Sequence, residues 1–181
     1  MIMEKIKAGG IIQNLNLAKI GIMGVPDRFG IASIILGAIY NKRINVQYIV
    51  TTTDTDNKSS IILCVNNEDL NVTMEAIETI KSQINAENVI FQSNVAMVSV
   101  FGPHFRDYPG IAMIAFSCLA SAGINIISIS TSISTISCLI EGDDVNKAVE
   151  ALKIAYNVPS GSVFIATDGL SLKAKGDSKG E

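Results

Sequence analysis

The sequence contains two copies of one pattern, and this repetition restricts the chain to folds built from two similar units. The matching segments are residues 30–34 (GIASI) with 110–114 (GIAMI), 44–46 (INV) with 124–126 (INI), and 69–71 (DLN) with 144–146 (DVN). The offset is 80 residues for the first two pairs and 75 for the third, so one loop is shorter by five residues in the second copy. The repeat therefore predicts two copies of one folding unit.

Composition narrows the class of protein. The chain has 181 residues, of which 48% are hydrophobic and only 17% charged. A surface with so few charges predicts association with another chain, while a crowded core is the alternative explanation. The net charge is −3, and the sequence lacks the basic patch with stacking aromatics that nucleic-acid binding needs.

No segment has the features of a membrane span or a signal peptide. The longest apolar stretch, around residues 31–40, is far shorter than the roughly 20 residues that cross a bilayer. Residues 1–7 carry charge and no apolar signal region, so we expect a cytoplasmic protein. The three cysteines, Cys64, Cys118 and Cys138, show no CxxC spacing and are predicted to be buried thiols.

The hydrophobic pattern of the first copy predicts a strand, helix, strand, strand, helix, strand order. The predicted strands are residues 19–24, 44–53, 59–65 and 89–92, and apolar stripes predict helices from Ile31 to Ile39 and from Leu70 to Ile84. Asn67 or Asp69 is expected to cap the second helix. This order is the split βαβ arrangement.

The second copy repeats this order with a less obvious last strand. The predicted elements are strands 95–101, 127–134 and 135–141, a helix from Ile111 to Ala122 ended by Gly123, and a helix from Val145 to Tyr156. The closing strand comes either from residues 162–166 or from residues 10–15 folding back. Residues 168–181 are predicted to be a disordered tail.

Each copy has a Gly/Pro/Asp turn before its first helix, at residues 24–30 and 102–110. The free N–H groups at a helix start attract a carboxylate, and a neighbouring carboxylate attracts an ammonium group. Asp27 and Asp107, each three residues before the glycine that opens the helix, thus suit the zwitterionic head of a free amino acid. The alternative is that both residues only cap helices.

The sequence offers little for catalysis. His104 is the single histidine and is predicted to be a loop residue, and neither a GxxxxGK[ST] nor a GxGxxG phosphate motif occurs. No metal site and no cofactor are expected. Arg28 and Arg106 flank the turns and either neutralise a ligand carboxylate or form surface ion pairs. Three glutamates are predicted to be solvated on helix faces: Glu75, Glu78 and Glu150.

Four segments together resemble the tandem ACT domains of aspartate kinase. They are residues 24–30 (GVPDRFG), 44–46 (INV), 109–112 (PGIA) and 123–132 (GINIISISTS). The likeness runs from about residue 10 to residue 158. The chain is similar to the separately made regulatory (beta) subunit, because its Met comes shortly before the first ACT strand and the Lys-Phe-Gly-Gly start of the kinase domain is absent.

The resemblance implies an α+β fold of two ferredoxin-like βαββαβ ACT units in tandem, with the first inserted into the second. ACT domain 1 is expected at residues 17–93, and ACT domain 2 at residues 10–16 plus 94–167. It also implies a homodimer in which the first unit of one chain faces the second unit of the other. An aspartate kinase catalytic subunit is the implied further partner.

The resemblance also implies that a feedback inhibitor, threonine or lysine, binds at the interface between chains. The matching positions are Asp27, Gly30, Ile31, Ala32 and Thr51 of one chain with Ala112, Asn125 and Ile126 of its partner. A second site would use Asn45, Val46, Asp107, Gly110 and Ser132.

Some positions differ from the family pattern and bear on ligand choice. At four positions where the family has an acidic residue or a glutamine, this sequence has a different residue: Gln47, Thr51, Ile127 and Ile133. A less acidic site favours threonine over lysine. Asp107 stands where the family often has serine, which makes the second turn a better ammonium binder.

Three functions follow from these patterns. The first is a regulatory protein, without catalysis of its own, that senses a small amino acid for feedback inhibition of an aspartate kinase. The alternative is a structural ACT dimerisation module with vacant ligand pockets, which the substitutions at Thr51, Ile127 and Ile133 support. An enzyme on this scaffold is the third, and the fold alone gives no warrant for it.

Overall fold

The computed structural model describes residues 5–103, 105–107, 109–166 and 172–174. Its strands are β1 (Ile6–Lys7), β2 (Gly10–Pro26), β3 (Tyr48–Thr53), β4 (Lys58–Asn66), β5 (Asn88–Phe101), β6 (Ser128–Thr131), β7 (Thr135–Glu141), β8 (Tyr156–Asn157), β9 (Val163–Ala166) and β10 (Leu172–Ala174). Its α-helices are α1 (Ile31–Asn41), α2 (Leu70–Ile84), α3 (Ile111–Ser121) and α4 (Val145–Ala155). Single-turn 3₁₀ helices cover Asn67–Asp69, Phe105–Asp107 and Gly142–Asp144.

The chain divides into two compact units. The continuous unit comprises residues 16–94, and the split unit comprises the described residues of 1–15 and 95–181. The predicted ACT domain boundaries, at 17–93 and at 10–16 plus 94–167, stay a prediction. Within the part of the chain that the structure describes, no helix is both long and apolar enough to span a bilayer.

The continuous unit is an antiparallel sheet with two helices against it. Strand β4 pairs with both β2 and β3, so that Ile61 lies opposite Ile22 on one side and Thr51 on the other. The alternating side chains of β2 and β4 bury one face against α1 and α2. The core is formed by the aliphatic residues Ile20, Ile22, Ile31, Ile35, Ile39, Ile61, Leu63, Ile77 and Ile84.

The split unit has the strand order β10, β9, β2, β5, β7, β6. The two alternatives for its closing strand both occur, because β2 lies beside β5 and β9 pairs in parallel with residues 11–13 of β2. Its core combines Val98, Val100, Leu119, Ile140, Leu152 and Tyr156 with their neighbours. The α+β class and the ferredoxin-like order of elements predicted from the sequence are confirmed.

Two strands are longer than predicted. Strand β2 has 17 residues and β5 has 14, where the sequence pattern predicted shorter, separate strands. Asn16 and Asn94 lie inside these strands with φ of 59° and 55°, at the points where each strand passes from one unit to the other. Asparagine tolerates this left-handed conformation better than most residues. The sequence prediction treated these polar positions as strand ends.

Two other strands are shorter than predicted, because their ends bond to the preceding helix or to a turn. Strand β3 begins at Tyr48 and not at Ile44, whose N–H donates to Ile39 O at the end of α1 (3.4 Å). Strand β6 ends at Thr131, because the N–H of Ser132 closes a tight turn onto Thr135 O (2.8 Å).

The helix ends agree with the sequence in part. Gly123 follows α3 with a φ of 67°, as expected for a glycine that ends a helix. Asp69 is the residue before α2, but its side chain makes no capping hydrogen bond; Thr73 Oγ1 instead donates to Asp69 O (2.7 Å).

The C-terminal part differs from the prediction at two places. Helix α4 ends at Ala155, and Tyr156 belongs to β8, which pairs in parallel with β1. Residues 172–174 form β10 against β9, whereas the prediction gave residues 168–181 to a disordered tail. The exposed edge of β9 supplies backbone hydrogen bonds that sequence composition does not reveal. The remainder of the predicted tail lies outside the described residues.

Candidate functional site

Helices α1 and α3 begin in the same unusual way. Gly30 and Gly110, the residues before the two helices, have φ of 85° and 86°, a conformation that is costly for any residue with a Cβ. Each helix starts with a backbone bond to its glycine, from Ile34 N–H (3.0 Å) and Ile114 N–H (3.1 Å) respectively. Within the described residues no side chain caps either helix. The first-turn N–H groups therefore remain available to an anionic group.

A pocket of about 430 Å³ opens at the start of α3. It is called the α3 pocket below, and it is lined by Phe105, Arg106, Gly110, Ile111, Ala112, Thr131, Ser132, Ile133 and Ile136. Three elements build it: the 3₁₀ turn before α3, the first residues of α3, and the turn between β6 and β7. Its volume lies within the range of small-molecule sites.

The lining of the α3 pocket combines an apolar floor with a polar rim. Phe105, Ile111 and Ile136 are buried, with at most 6% of each residue exposed. The hydroxyl groups of Thr131 and Ser132 and the guanidinium of Arg106 supply the polar part, and Ile133 is 68% exposed at the mouth. None of the lining residues carries a carboxylate.

Asp107 is not among the residues that line the pocket. Its Oδ1 lies 3.5 Å from Nε of Arg106, and both side chains are largely exposed. Arg106 forms the surface ion pair that was one of its two predicted alternatives, and it also lines the pocket. Its contact with a ligand carboxylate stays a prediction. A contact between Asp107 and a ligand ammonium group stays a prediction.

In the continuous unit, the turn before α1 is tied to its surroundings. The N–H of Asp27 donates to Asn57 O in the β3–β4 turn (2.9 Å). Arg28 donates to the carbonyl of Gln83 near the end of α2, and its contact with a ligand carboxylate stays a prediction. Gly30 and Thr51 occupy the positions that correspond in the repeat to Gly110 and Thr131 of the α3 pocket.

The structure groups some of the predicted site residues within each unit. Gly110, Ala112 and Ser132 meet in the α3 pocket. Gly30, Ile31 and Ala32 share the start of α1, and Thr51 lies on β3 opposite Ile61. Four predicted residues lie at the loops after the first helices: Asn45, Val46, Asn125 and Ile126. Whether chains pair to join these groups stays a prediction.

One of those loops contributes to a second recess. A cavity of about 570 Å³ is lined by Tyr40, Asn41, Arg43, Ile44 and Asn45 at the end of α1. Val46 and Ile126 instead pack against the cores of their own units. Asn125 is exposed.

Four pocket residues were not predicted as site residues: Phe105, Ile111, Thr131 and Ile136. Thr131 is the counterpart of the predicted Thr51, at an offset of 80. Ile111 is the counterpart of Ile31, at an offset of 80, so the repeat could have found it. Ile136 corresponds to Ile61 at the offset of 75. Phe105 has no clear counterpart, because the turn at residues 102–110 is two residues longer than the one at 24–30.

Tyr156 stands behind the pocket wall. Its side chain is fully buried, and its hydroxyl donates to Ile111 O at 2.6 Å. Its ring lies 5.9 Å from the ring of Phe105, centroid to centroid, at an interplanar angle of 32°. Burial raises the pKa of the Tyr156 hydroxyl, so this group stays protonated and acts as a donor. The sequence pattern had placed Tyr156 on a helix stripe.

The other ionisable groups of note are two buried thiols, Cys64 and Cys138. No cluster of three or more histidine, cysteine, aspartate or glutamate residues in the described part of the chain could hold a metal ion. His104 lies outside the described residues. Burial raises the pKa of Cys64 and Cys138 to about 12, so these thiols stay protonated at neutral pH.

The predicted solvated glutamates are exposed, and two of them form ion pairs along their own helices. Glu78 pairs with Lys81 (3.5 Å) and Glu150 with Lys153 (2.8 Å). Such exposed pairs at a spacing of three residues support a helix weakly and need no functional explanation.

Comparison with known proteins identifies the family. The ACT domain family matches residues 98–156. The regulatory subunit of aspartate kinase from Thermus thermophilus, in its ligand-free form, superposes with a TM-score of 0.75 at 28% identity and covers 82% of this chain and 98% of that one. A chain from a crystal structure of aspartokinase alpha and beta subunits gives a TM-score of 0.75 at 33% identity, over 83% of this chain and 99% of that one. The chain belongs to the aspartate kinase regulatory family.

The curated aspartate kinases that match this chain are longer proteins, and the match covers only part of their length. It is 35% identical to an aspartate kinase of Stutzerimonas stutzeri over 162 residues, which is 88% of this chain and 39% of that protein. The chain thus spans about two fifths of the length of such relatives. The α3 pocket lies inside the segment that the ACT domain family matches.

Proposed function

We propose that this regulatory chain senses a free amino acid and transmits its presence to an aspartate kinase catalytic subunit as feedback inhibition. Threonine is favoured over lysine. The chain acts as a homodimer, in which the start of α1 in one chain faces the start of α3 in the other. Occupancy shifts the population between two arrangements of that dimer.

The observation that carries this proposal is the lining of the α3 pocket. An uncapped helix start supplies N–H groups for a ligand carboxylate, and Arg106 adds a positive charge beside them. Thr131 and Ser132 offer hydroxyl groups next to the apolar surface of Ile111. These features match the carboxylate, the hydroxyl and the methyl group of threonine.

The same lining disfavours lysine. Threonine and lysine share the α-ammonium group, but the lysine side chain would bring a second ammonium group into a pocket whose lining residues carry no carboxylate. Removing that charge from water without a partner costs free energy that a hydroxyl group does not incur to the same degree. Ile133, exposed at the pocket mouth, stands where the resemblance places a glutamate.

Ligand titration tests this proposal. We expect millimolar L-threonine to raise the melting temperature of the full chain by mass action, and L-lysine to have a smaller effect. The substitution Ile133→Glu should increase the affinity for lysine about tenfold, because it supplies the missing carboxylate. Ile154→Glu on α4 is the matched control, since Ile154 is also an exposed isoleucine (71%) and lies outside the pocket lining.

The competing function is a dimerisation module with vacant pockets. It would be supported by a stable dimer in sedimentation whose melting temperature responds to none of the twenty amino acids. A chain that binds threonine but changes no property of a co-purified aspartate kinase would contradict the inhibition step and leave the binding step standing.

A further inference from the structure

We propose that Tyr156 is a positioning residue that couples the α3 pocket to strand β1. The ligand-dependent part of this inference rests on the proposed sensing function, whereas the mechanical link between pocket and strand does not. Tyr156 contacts the pocket wall with its side chain and pairs with β1 through its backbone.

On the pocket side, Tyr156 contacts two separate parts of the wall. Its hydroxyl donates to Ile111 O, at the first residue of α3, and its ring packs on Phe105 in the 3₁₀ turn. Both Ile111 and Phe105 line the α3 pocket. A ligand that moves the start of α3 or the 3₁₀ turn towards itself therefore changes the position in which the Tyr156 side chain keeps both contacts.

On the other side, the backbone of Tyr156 holds β1. Ile6 is its partner in the parallel β1–β8 pair, and Ala8 N–H donates to Asn157 O at 3.0 Å. This pair has only two residues in each strand. A pair this short has little stability of its own. A small shift of Tyr156 therefore changes the fraction of time for which β1 stays hydrogen-bonded to β8.

The two units differ at this position, which argues against a purely generic packing role. In the repeat, Tyr156 corresponds to Lys81, which lies within α2, and α2 continues to Ile84. Helix α4 instead ends at Ala155, where the N–H of Tyr156 makes a last bond to Leu152 O. The early end turns the chain into β8 and puts a buried tyrosine where the first copy has a lysine.

The ligand-free test uses strain at the helix start. Gly110→Ala forces a residue with a Cβ to hold a φ of 86°, while the Cβ itself meets nothing closer than Met113 Cε at 3.9 Å. Gly30→Ala imposes the same strain at the start of α1, where the open space is comparable. Amide hydrogen exchange, read by mass spectrometry over residues 5–9, reports the pairing of β1.

We expect Gly110→Ala to speed exchange over residues 5–9 about fivefold or more, and Gly30→Ala to leave it unchanged. In the Tyr156→Phe background the effect of Gly110→Ala should fall to a small fraction, because the hydroxyl link to Ile111 is gone. Equal effects of the two glycine substitutions would overturn the coupling, and so would an effect that persists in full without the hydroxyl. The comparison of Gly110→Ala with Gly30→Ala uses the chain with Tyr156 in place, so it tests the coupling even if Tyr156→Phe folds poorly.

A second measurement adds L-threonine as the probe. In the unmodified chain, threonine should slow exchange over residues 105–114 and also change it over residues 5–9. In Tyr156→Phe the first response should remain and the second should disappear, while Tyr40→Phe, at an exposed tyrosine (77%), should behave like the unmodified chain. A response confined to residues 105–114 in the unmodified chain refutes the coupling; its absence there refutes threonine sensing instead.

Discussion

Gly37 and Gly10 have opposite local surroundings. Replacing each by alanine should therefore change the free energy of unfolding in opposite directions. Gly37 lies inside α1, and a Cβ built there meets no heavy atom within 4 Å. A Cβ at Gly10 would lie 2.6 Å from Ser162 O and 2.9 Å from the Phe101 ring. The first position tolerates a methyl group and the second does not.

We therefore expect Gly37→Ala to increase the free energy of unfolding by about 0.5–1 kcal/mol, because it removes backbone entropy from the unfolded chain. Gly10→Ala should reduce it by about 1–3 kcal/mol through overpacking against a backbone oxygen that cannot move away. Urea unfolding of the two variants measures both changes. A neutral Gly10→Ala would show that β2 and the loop before β9 are packed less tightly than described.

At the residue scale, the sequence predicts what the repeat duplicates and misses what is specific to one copy. Gly30 and Gly110 stand out because each opens a helix at the same place in the pattern. Tyr156 does not, since its helical spacing hides the strand in which it lies. A hydrogen bond to a residue 45 positions away leaves no trace in local periodicity.

Among the secondary-structure elements, the β3–β4 hairpin has a turn in which one side chain adds to the backbone hydrogen bonds. Asp54 Oδ1 accepts hydrogen bonds from the N–H groups of Asp56 and Lys58, both at 2.9 Å. Aspartate is favoured in such turns because its carboxylate replaces a backbone acceptor. The turn also carries Asn57, with a φ of 57°.

Replacing Asp54 by alanine should lower the free energy of unfolding by about 1 kcal/mol, since two backbone N–H groups lose their acceptor. Asp56→Ala is the control, because it removes an equal charge from the same turn and leaves both bonds in place. Chemical denaturation quantifies the difference, and faster amide exchange at the ends of β3 and β4 localises it. Equal losses in the two variants would mean that charge and not hydrogen bonding matters here.

Strands β7 and β2 show which sequence signals are sufficient to predict the bounds of a strand. Strand β7 (Thr135–Glu141) coincides with its predicted residues, because alternating side chains and flanking turns mark both ends. Strand β2 was predicted only in part, because the polar residues around Asn16 interrupt its hydrophobic pattern. The continuation there depends on backbone pairing with other strands, a long-range interaction that no window of the sequence contains.

For the whole molecule, the two hydrophobic cores provide separate targets for mutation. Ile35 is fully buried in the core of the continuous unit, and Leu119 is 1% exposed in that of the split unit. Truncation of either side chain to alanine leaves a cavity. Each should cost about 2–5 kcal/mol of unfolding free energy.

The location of the damage is the sharper prediction. Ile35→Ala should raise amide exchange mainly in β4 and α2, and Leu119→Ala mainly in β7 and α4, because each cavity lies in one core. Leu36→Ala is the matched control, since Leu36 is 37% exposed. Uniform loss of protection across the chain in both variants would show that the two cores unfold as one.

Because the split unit combines residues from both ends of the sequence, it can fold only after the continuous unit has been synthesised. Residues 10–15 leave the ribosome before the whole continuous unit, yet their partners in β5 and β9 are made after it. The continuous unit has all of its strands and helices once residue 94 has emerged, whereas residues 10–15 must still wait for their partners in the split unit. Contacts between segments so distant in sequence form slowly, so residues 10–15 stay exposed to chaperones until β5 and β9 have been made.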